Sequence, residues 1–89
     1  MQRRITIGSY TQTIVDPRQI FHIALACKAA GVIIAHNHPS GNPLPSEADL
    51  EVTDRVWHAG QLLCIPLLDH LIIGCNSYCS LARLGALSS

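Results

Sequence analysis

The chain reads as a small α/β domain, a mixed sheet with helices packed against it. Three observations point there. Short β-branched apolar runs of strand length occur at Arg4–Tyr10, Val32–His36 and Ile65–Gly74. Two segments of helical period, Pro17–Ala30 and Ser46–Leu62, alternate with them. Between the second strand and the second helix lies a polar, turn-rich block, AHNHPSGNPLPSEAD, running from Ala35 to Asp49. Eighty-nine residues, 48% of them hydrophobic, make one domain spanning 1–89. Its mean hydropathy of +0.27 gives ample core material, although a domain this small buries a modest fraction of its surface.

Taken in order, RITIGSY alternates Ile5 and Ile7 with polar neighbours and reads as a strand, continued in extended form from Thr11 to Asp16. Asp16-Pro17 is an N-cap followed by proline at the first helical position. The helix from Pro17 to Ala30 spaces Ile20, Phe21, Ala24, Leu25, Cys27 and Lys28 for a common face, with Gly31 as its stop and His22 as a solvent- or backbone-bonded side chain. Val32–His36 is the central strand, and a strand–helix–strand order of this length fits a right-handed crossover between parallel strands, with a hairpin-plus-helix arrangement as the other option. The second helix, Ser46 to Leu62, carries Leu50, Thr53, Val56 and Trp57 as its core stripe, Glu47, Glu51, Asp54 and Arg55 as its solvated face, and Gly60 at its fraying end. IPLLDHLIIG is a strand interrupted only by Asp69 and His70, a pair that costs desolvation unless partnered. Asn76-Ser77 reads as a turn, Tyr78–Leu81 as a short strand and Ala82–Ser89 as a brief helix or fraying tail. With no strand ahead of it, the strand of Ile5 and Ile7 is an exposed edge, through which a homo-oligomer is expected to form.

Charge narrows the functional classes. Six basic and six acidic residues balance, and Arg3, Arg4, Arg18, Lys28, Arg55 and Arg83 are scattered, so a strong electrostatic grip on nucleic acid is not supported. The longest apolar runs are too short to cross a bilayer and no signal-peptide pattern opens the chain, so a cytoplasmic location is expected. Cys27, Cys64, Cys75 and Cys79 make no zinc-ribbon pattern; Cys27 and Cys64, in apolar segments, read as buried thiols, and reduced cysteines fit the cytosol.

The chemistry concentrates in the polar block. Side chains two apart on a strand point the same way, so His36 and His38 project from one face at the strand end, their Cα atoms roughly 6–7 Å apart. Two imidazoles at that spacing reach one ion, and Asp49 returns from the first helical turn as an oxygen ligand. Two histidines and a carboxylate leave a fourth tetrahedral position for water, which suits a catalytic rather than a structural zinc site; iron and manganese accept the same donors. Ser46 and Asp49 also fit a capping box, with Ser46 as the N-cap, a role compatible with ligation for Ser46 and partly in competition with it for Asp49.

HNHPSG, PSEAD and LLDHLIIG together resemble the RadC family, the UPF0758 proteins, a bacterial branch of the JAMM/MPN metalloprotease-like domains. The JAMM pattern, H-x-H-P, a spacer and S-x-x-D, is met by His36, His38, Pro39, Ser46 and Asp49, and the similarity runs from about Arg4 to Leu87. The resemblance implies a JAMM/MPN fold, related to cytidine deaminases and truncated at its start. It implies zinc on His36, His38 and Asp49, with Ser46 stabilising the oxyanion of a tetrahedral intermediate. It implies a peptide or protein substrate cut at a peptide or isopeptide bond. The match at LLDH gives Asp69 and His70 a supporting role around the site. One feature of the pattern is missing: the upstream glutamate that takes the proton from water has no counterpart at Met1–Arg3, and the only glutamates are Glu47 and Glu51. Two readings follow, a zinc-dependent hydrolase or a non-catalytic scaffold that keeps the ligands. A nucleobase deaminase needs H-x-E and P-C-x-x-C, and neither is present.

Overall fold

The computed structural model describes residues 5–10 as strand backbone, and residues 16–38 and 40–87. Six elements follow one another: β1 (Ile5–Tyr10), α1 (Pro17–Ala26), β2 (Gly31–Asn37), α2 (Glu47–Leu63), β3 (Leu67–Ile73) and β4 (Tyr78–Ser80). The four strands form one sheet in the order β1-β2-β3-β4, with β1, β2 and β3 parallel and β4 antiparallel to β3. The expected mixed α/β sheet is therefore present, and of the two options for the first half it takes the crossover. The expected extended continuation at residues 11–15 lies outside the described residues.

Register sets the rows of side chains. Ile34 faces His70 across the β2–β3 ladder, and His36 faces Ile72. Val32, Ile34 and His36 on β2, with His70 and Ile72 on β3, are buried, whereas Ile33, Ala35, Leu71 and Ile73 between them are only half-buried. Phe21 and Ala24 from α1 and Val52 and Val56 from α2 close over Val32 and Ile34 to make the core. His36 and His70 thus lie in the same buried row as the core, with His70 in the middle of β3 and His36 toward the C-terminal end of β2. Open α/β sheets carry their chemistry at that end.

Asp16 caps α1 as expected, its carboxylate accepting from Arg18 N at 2.9 Å, with Pro17 following. The helix stops at Ala26 rather than Ala30. Lys28 takes a left-handed φ of 54°, and Ala29 N donates to Ala24 O while Lys28 N donates to Leu25 O. This Schellman turn reverses the chain before the expected glycine, and Gly31 becomes the first residue of β2. Cys27 is consequently exposed, not buried. Cys64 is exposed for the same reason: it ends α2 in a left-handed conformation with φ of 59°.

α2 buries Asp49, Val52, Thr53, Val56 and Gly60. That set follows the helical spacing from Asp49, so Val52 takes the place expected for Leu50, which is 43% exposed. Gly60 is not at a fraying end; the helix runs on to Leu63. A Cβ on Gly60 would lie 2.5 Å from Ile65 O, so the absence of a side chain lets the connection to β3 cross against the helix. After β4, residues 81–85 form turns rather than a helix. No helix among the described residues is long and apolar enough to cross a membrane.

Candidate metal centre

β2 delivers its two histidines at the point where the ladder runs out. His38 N still donates to Ile73 O at 3.0 Å, so the backbone is held to β3 one residue past the strand. The loop that follows folds back: Gly41 N donates to His38 O at 2.9 Å, and Cys75 N, from the β3–β4 turn, donates to Gly41 O at 2.9 Å. Close approach tightens this clamp, since a Cβ on Gly74 would lie 2.5 Å from Gly41 O and 2.9 Å from Pro43 Cδ. Asn42 Oδ1 accepts from Leu44 N at 3.1 Å, turning the chain toward Ser46.

Ser46 is the N-cap of α2 and Asp49 its third helical residue, joined in a reciprocal capping box. The box fixes the Asp49 carboxylate beneath both imidazoles. His36 Nδ1 lies 2.7 Å from Asp49 Oδ1, and His38 Nε2 lies 2.7 Å from Asp49 Oδ2. The two rings meet edge to face with centroids 4.8 Å apart. His36 and Asp49 are buried, and His38 is half-buried. The cap and ligand roles left open for Asp49 thus coexist on its two oxygens: Oδ1 faces His36, and Oδ2 receives Ser46 and faces His38.

Burial opposes ionisation of Asp49. The Ser46 backbone N–H, His36, the Ser46 hydroxyl and His38 together outweigh it and hold the carboxyl at about 2, below its ordinary 3.8. The carboxylate is therefore charged at neutral pH.

His38 shows whether this set suits a metal. Its Nδ1 lies 2.8 Å from Asn42 O, a carbonyl that can only accept, so Nδ1 carries the hydrogen. The neutral ring then presents an Nε2 lone pair to an ionised carboxylate oxygen. Only a second ring proton or a cation satisfies that juxtaposition. One donor atom from each of His36, His38 and Asp49 lies within 4.8 Å of the others, comparable to the roughly 4 Å across a shell of ligands at about 2.0–2.2 Å. The backbone carbonyl on the far nitrogen is the support that ligating histidines ordinarily have. The residues could hold a metal ion.

Asp69 and His70 separate. Strand alternation sends them to opposite faces, and the Asp69 carboxylate accepts from His70 N, Ser80 Oγ and Ala82 N at 2.7, 2.6 and 3.0 Å, which ties it to β4 and the turn after it. His70 is fully buried on the site face, with its Nδ1 2.6 Å from Thr53 Oγ1. Thr53 Oγ1 in turn donates to Asp49 O at 2.7 Å. Thr53 was expected only as part of a core stripe. The signal for more was its position one helical turn after Asp49, on the face that meets β3.

The chain matches the RadC-like JAB domain over residues 1–86. A UPF0758 protein of Protochlamydia amoebophila is 55% identical over 76 residues, which cover 85% of this chain and 33% of that protein. One from Thermosynechococcus vestitus is 52% identical over 80 residues, 90% of this chain and 32% of its own length. The Bacillus subtilis protein YsxA is 48% identical over 86 residues, 97% of this chain and 37% of its own. The chain thus spans about a third of the length of these relatives. With its pair of histidines and its capped aspartate in place, the chain belongs to the RadC-like JAB domain family.

Proposed function

We propose that this chain carries the metal centre of a JAMM-type hydrolase that uses zinc to cleave a peptide or isopeptide bond. The observation that supports it is the donor set: an ionised buried carboxylate facing two imidazole nitrogens, with the far nitrogen of His38 held by Asn42 O. When bound, zinc supplies Lewis acidity toward a carbonyl oxygen and toward water. His36, His38 and Asp49 hold the ion, and Asp49 neutralises part of its charge. The capping box keeps Asp49 in place, and the clamp from Gly41 to Cys75 keeps the loop beside the site from moving. The Ser46 hydroxyl, now donating to Asp49 at 2.9 Å, is the group that turns toward a substrate oxyanion.

One observation favours a second reading, a binding module that keeps the ligands without turnover. The only acid ahead of His36 in the chain is Asp16, and its carboxylate caps α1 and pairs with Arg18 at 2.9 Å. Asp16 is thus committed to the start of α1 and not to the metal donors.

Metal analysis followed by a peptidase and isopeptidase assay separates these. About one zinc per chain, lost in the His36→Ala, His38→Ala double variant, with turnover lost alongside it, supports the hydrolase. The same zinc without turnover supports the binding module. Absence of zinc binding at neutral pH overturns both.

A further inference from the structure

The metal donors account for His36, His38 and Asp49 but leave a second buried polar chain directly behind them. Thr53, His70 and Asp49 are each at most 2% exposed. His70 comes from the middle of β3, beside Ile34 and two residues along β2 from His36. Hydrogen-bond chemistry fixes the direction of this chain. Asp49 O is a carbonyl and can only accept, so the single hydroxyl proton of Thr53 goes to it. Thr53 Oγ1 then has only lone pairs left for His70, and His70 Nδ1 must be the donor. His70 is therefore the Nδ1–H tautomer, and the chain runs from His70 Nδ1–H to Thr53 Oγ1–H to Asp49 O.

A threonine bonding back to the carbonyl one turn earlier is common in helices. A buried histidine donating into that same hydroxyl is not required by it; an apolar pair would fill the gap between α2 and β3 without polar groups to satisfy. We propose that Thr53 is a positioning residue of the metal centre. With His70 it sets the height of the first turn of α2 against β3. That is the one coordinate that brings the Asp49 carboxylate, carried by the helix, to the two imidazoles carried by β2. Apolar contacts through Val52 and Val56 hold the helix down but leave it free to slide; the directional chain does not. The inference rests on the metal-centre reading above.

Four variants and one measurement on the unaltered protein test it. Thr53→Ser keeps the hydroxyl and Thr53→Val removes it at nearly constant shape. His70→Asn keeps a donor where Nδ1 stands, and His70→Gln moves the donor away. Each is compared with wild type by circular dichroism, by competition of cobalt(II) against a chromophoric chelator, and by the visible spectrum of the bound cobalt. The 15N shifts of the His70 ring are read in metal-free wild-type protein.

The expected result is an Nδ1–H tautomer. Thr53→Ser and His70→Asn should bind cobalt like wild type, and Thr53→Val and His70→Gln should lose roughly 10–100-fold in affinity with an altered spectrum, as for other supports of metal ligands. A wild-type Nε2–H tautomer overturns the proposal without any variant, even where Thr53→Val does not fold. So does a folded Thr53→Val that binds cobalt with unchanged affinity and spectrum. Failure of wild type itself to bind cobalt overturns the metal-centre reading, and this proposal with it.

Discussion

Ser46 and Asp49 hold each other from both sides: Ser46 N and Oγ donate to Asp49 Oδ2 at 2.8 and 2.9 Å, and Asp49 N donates to Ser46 Oγ at 3.1 Å. A helix cap and a metal ligand share one carboxylate. The two roles come apart by mutation. Ser46→Ala removes the cap, lowering stability by about 1 kcal/mol, and leaves Asp49 facing both imidazoles. Its zinc affinity should fall by less than tenfold. Asp49→Asn takes away the negative charge that His36 and His38 face, and its affinity should fall by at least the roughly 100-fold upper range seen for lost supporting partners. Urea unfolding and zinc competition against a chelator read the two quantities separately. Equal losses of affinity in the two variants would mean that Asp49 acts as a cap alone.

Acid stability should fall in a window set by His70. Burial holds its imidazole down to about 4 from the ordinary 6.5; Asp49 and Asp69 pull it up, and His36 and His38 push it down. The unfolded chain therefore binds a proton on this ring at a pH where the folded chain does not. Its contribution to stability is complete above about 6.5 and is lost as the pH falls to about 4, amounting to about 3 kcal/mol over the window. Thermal unfolding of chelator-treated protein at a series of pH values measures it. His70→Asn, which keeps the donor to Thr53 but does not titrate, should flatten the curve between those limits. An unchanged slope in that variant would assign the acid sensitivity elsewhere.

Much of this was legible in the sequence because it rests on local rules. The H-x-H spacing sets two imidazoles on one face, and S-x-x-D closes a box within a single turn; neither needs the rest of the fold. The helix starts at Asp16 and Ser46 were readable for the same reason. The ends of the helices were not. Lys28 and Cys64 adopt left-handed conformations that most side chains avoid, and tertiary packing, not propensity, puts them there. Leu50 looked more like a core residue than Val52, yet the face of α2 is set by Asp49 reaching the histidines, which turns Leu50 outward. Asp69 and His70 read in the sequence as one pair supporting the site. Strand alternation sends them to opposite faces, and their separate partners, Ser80 and Thr53, depend on β4 and α2 closing on either side.

That split gives the next expectation. Asp69 holds the β3–β4 hairpin and the turn at Ala82, with no bond to the metal donors among the described residues. Asp69→Ala leaves the buried Ser80 hydroxyl and two backbone N–H groups without their acceptor, which should cost about 1–3 kcal/mol. Zinc affinity should remain within twofold of wild type. Chemical denaturation with and without zinc checks both, and a loss of affinity larger than the loss of stability explains would place Asp69 in the metal site after all.

Gly60 provides a test in which two physical effects have opposite signs. By helix propensity alone, Gly60→Ala in the interior of α2 should stabilise the protein by about 1 kcal/mol. Packing says otherwise. The added methyl would lie 2.5 Å from Ile65 O, 3.3 Å from Leu67 N and 3.5 Å from Ile65 C, all backbone atoms at the entry to β3. Backbone cannot rotate away as a side chain would, and Ile65 N is already bonded to Gly60 O at 2.9 Å, so helix and strand must part together. Overpacking of this kind costs about 1–3 kcal/mol or more, which exceeds the propensity gain. Gly60→Ala should therefore be destabilised in urea. Because Ile65 leads into the strand that carries His70, the shift should also reach Asp49 through Thr53 and weaken zinc binding. A variant as stable as wild type would show that this corner has room the close approach denies. A destabilised variant with full zinc affinity would show that α2 and β3 can separate at this end without moving Asp49.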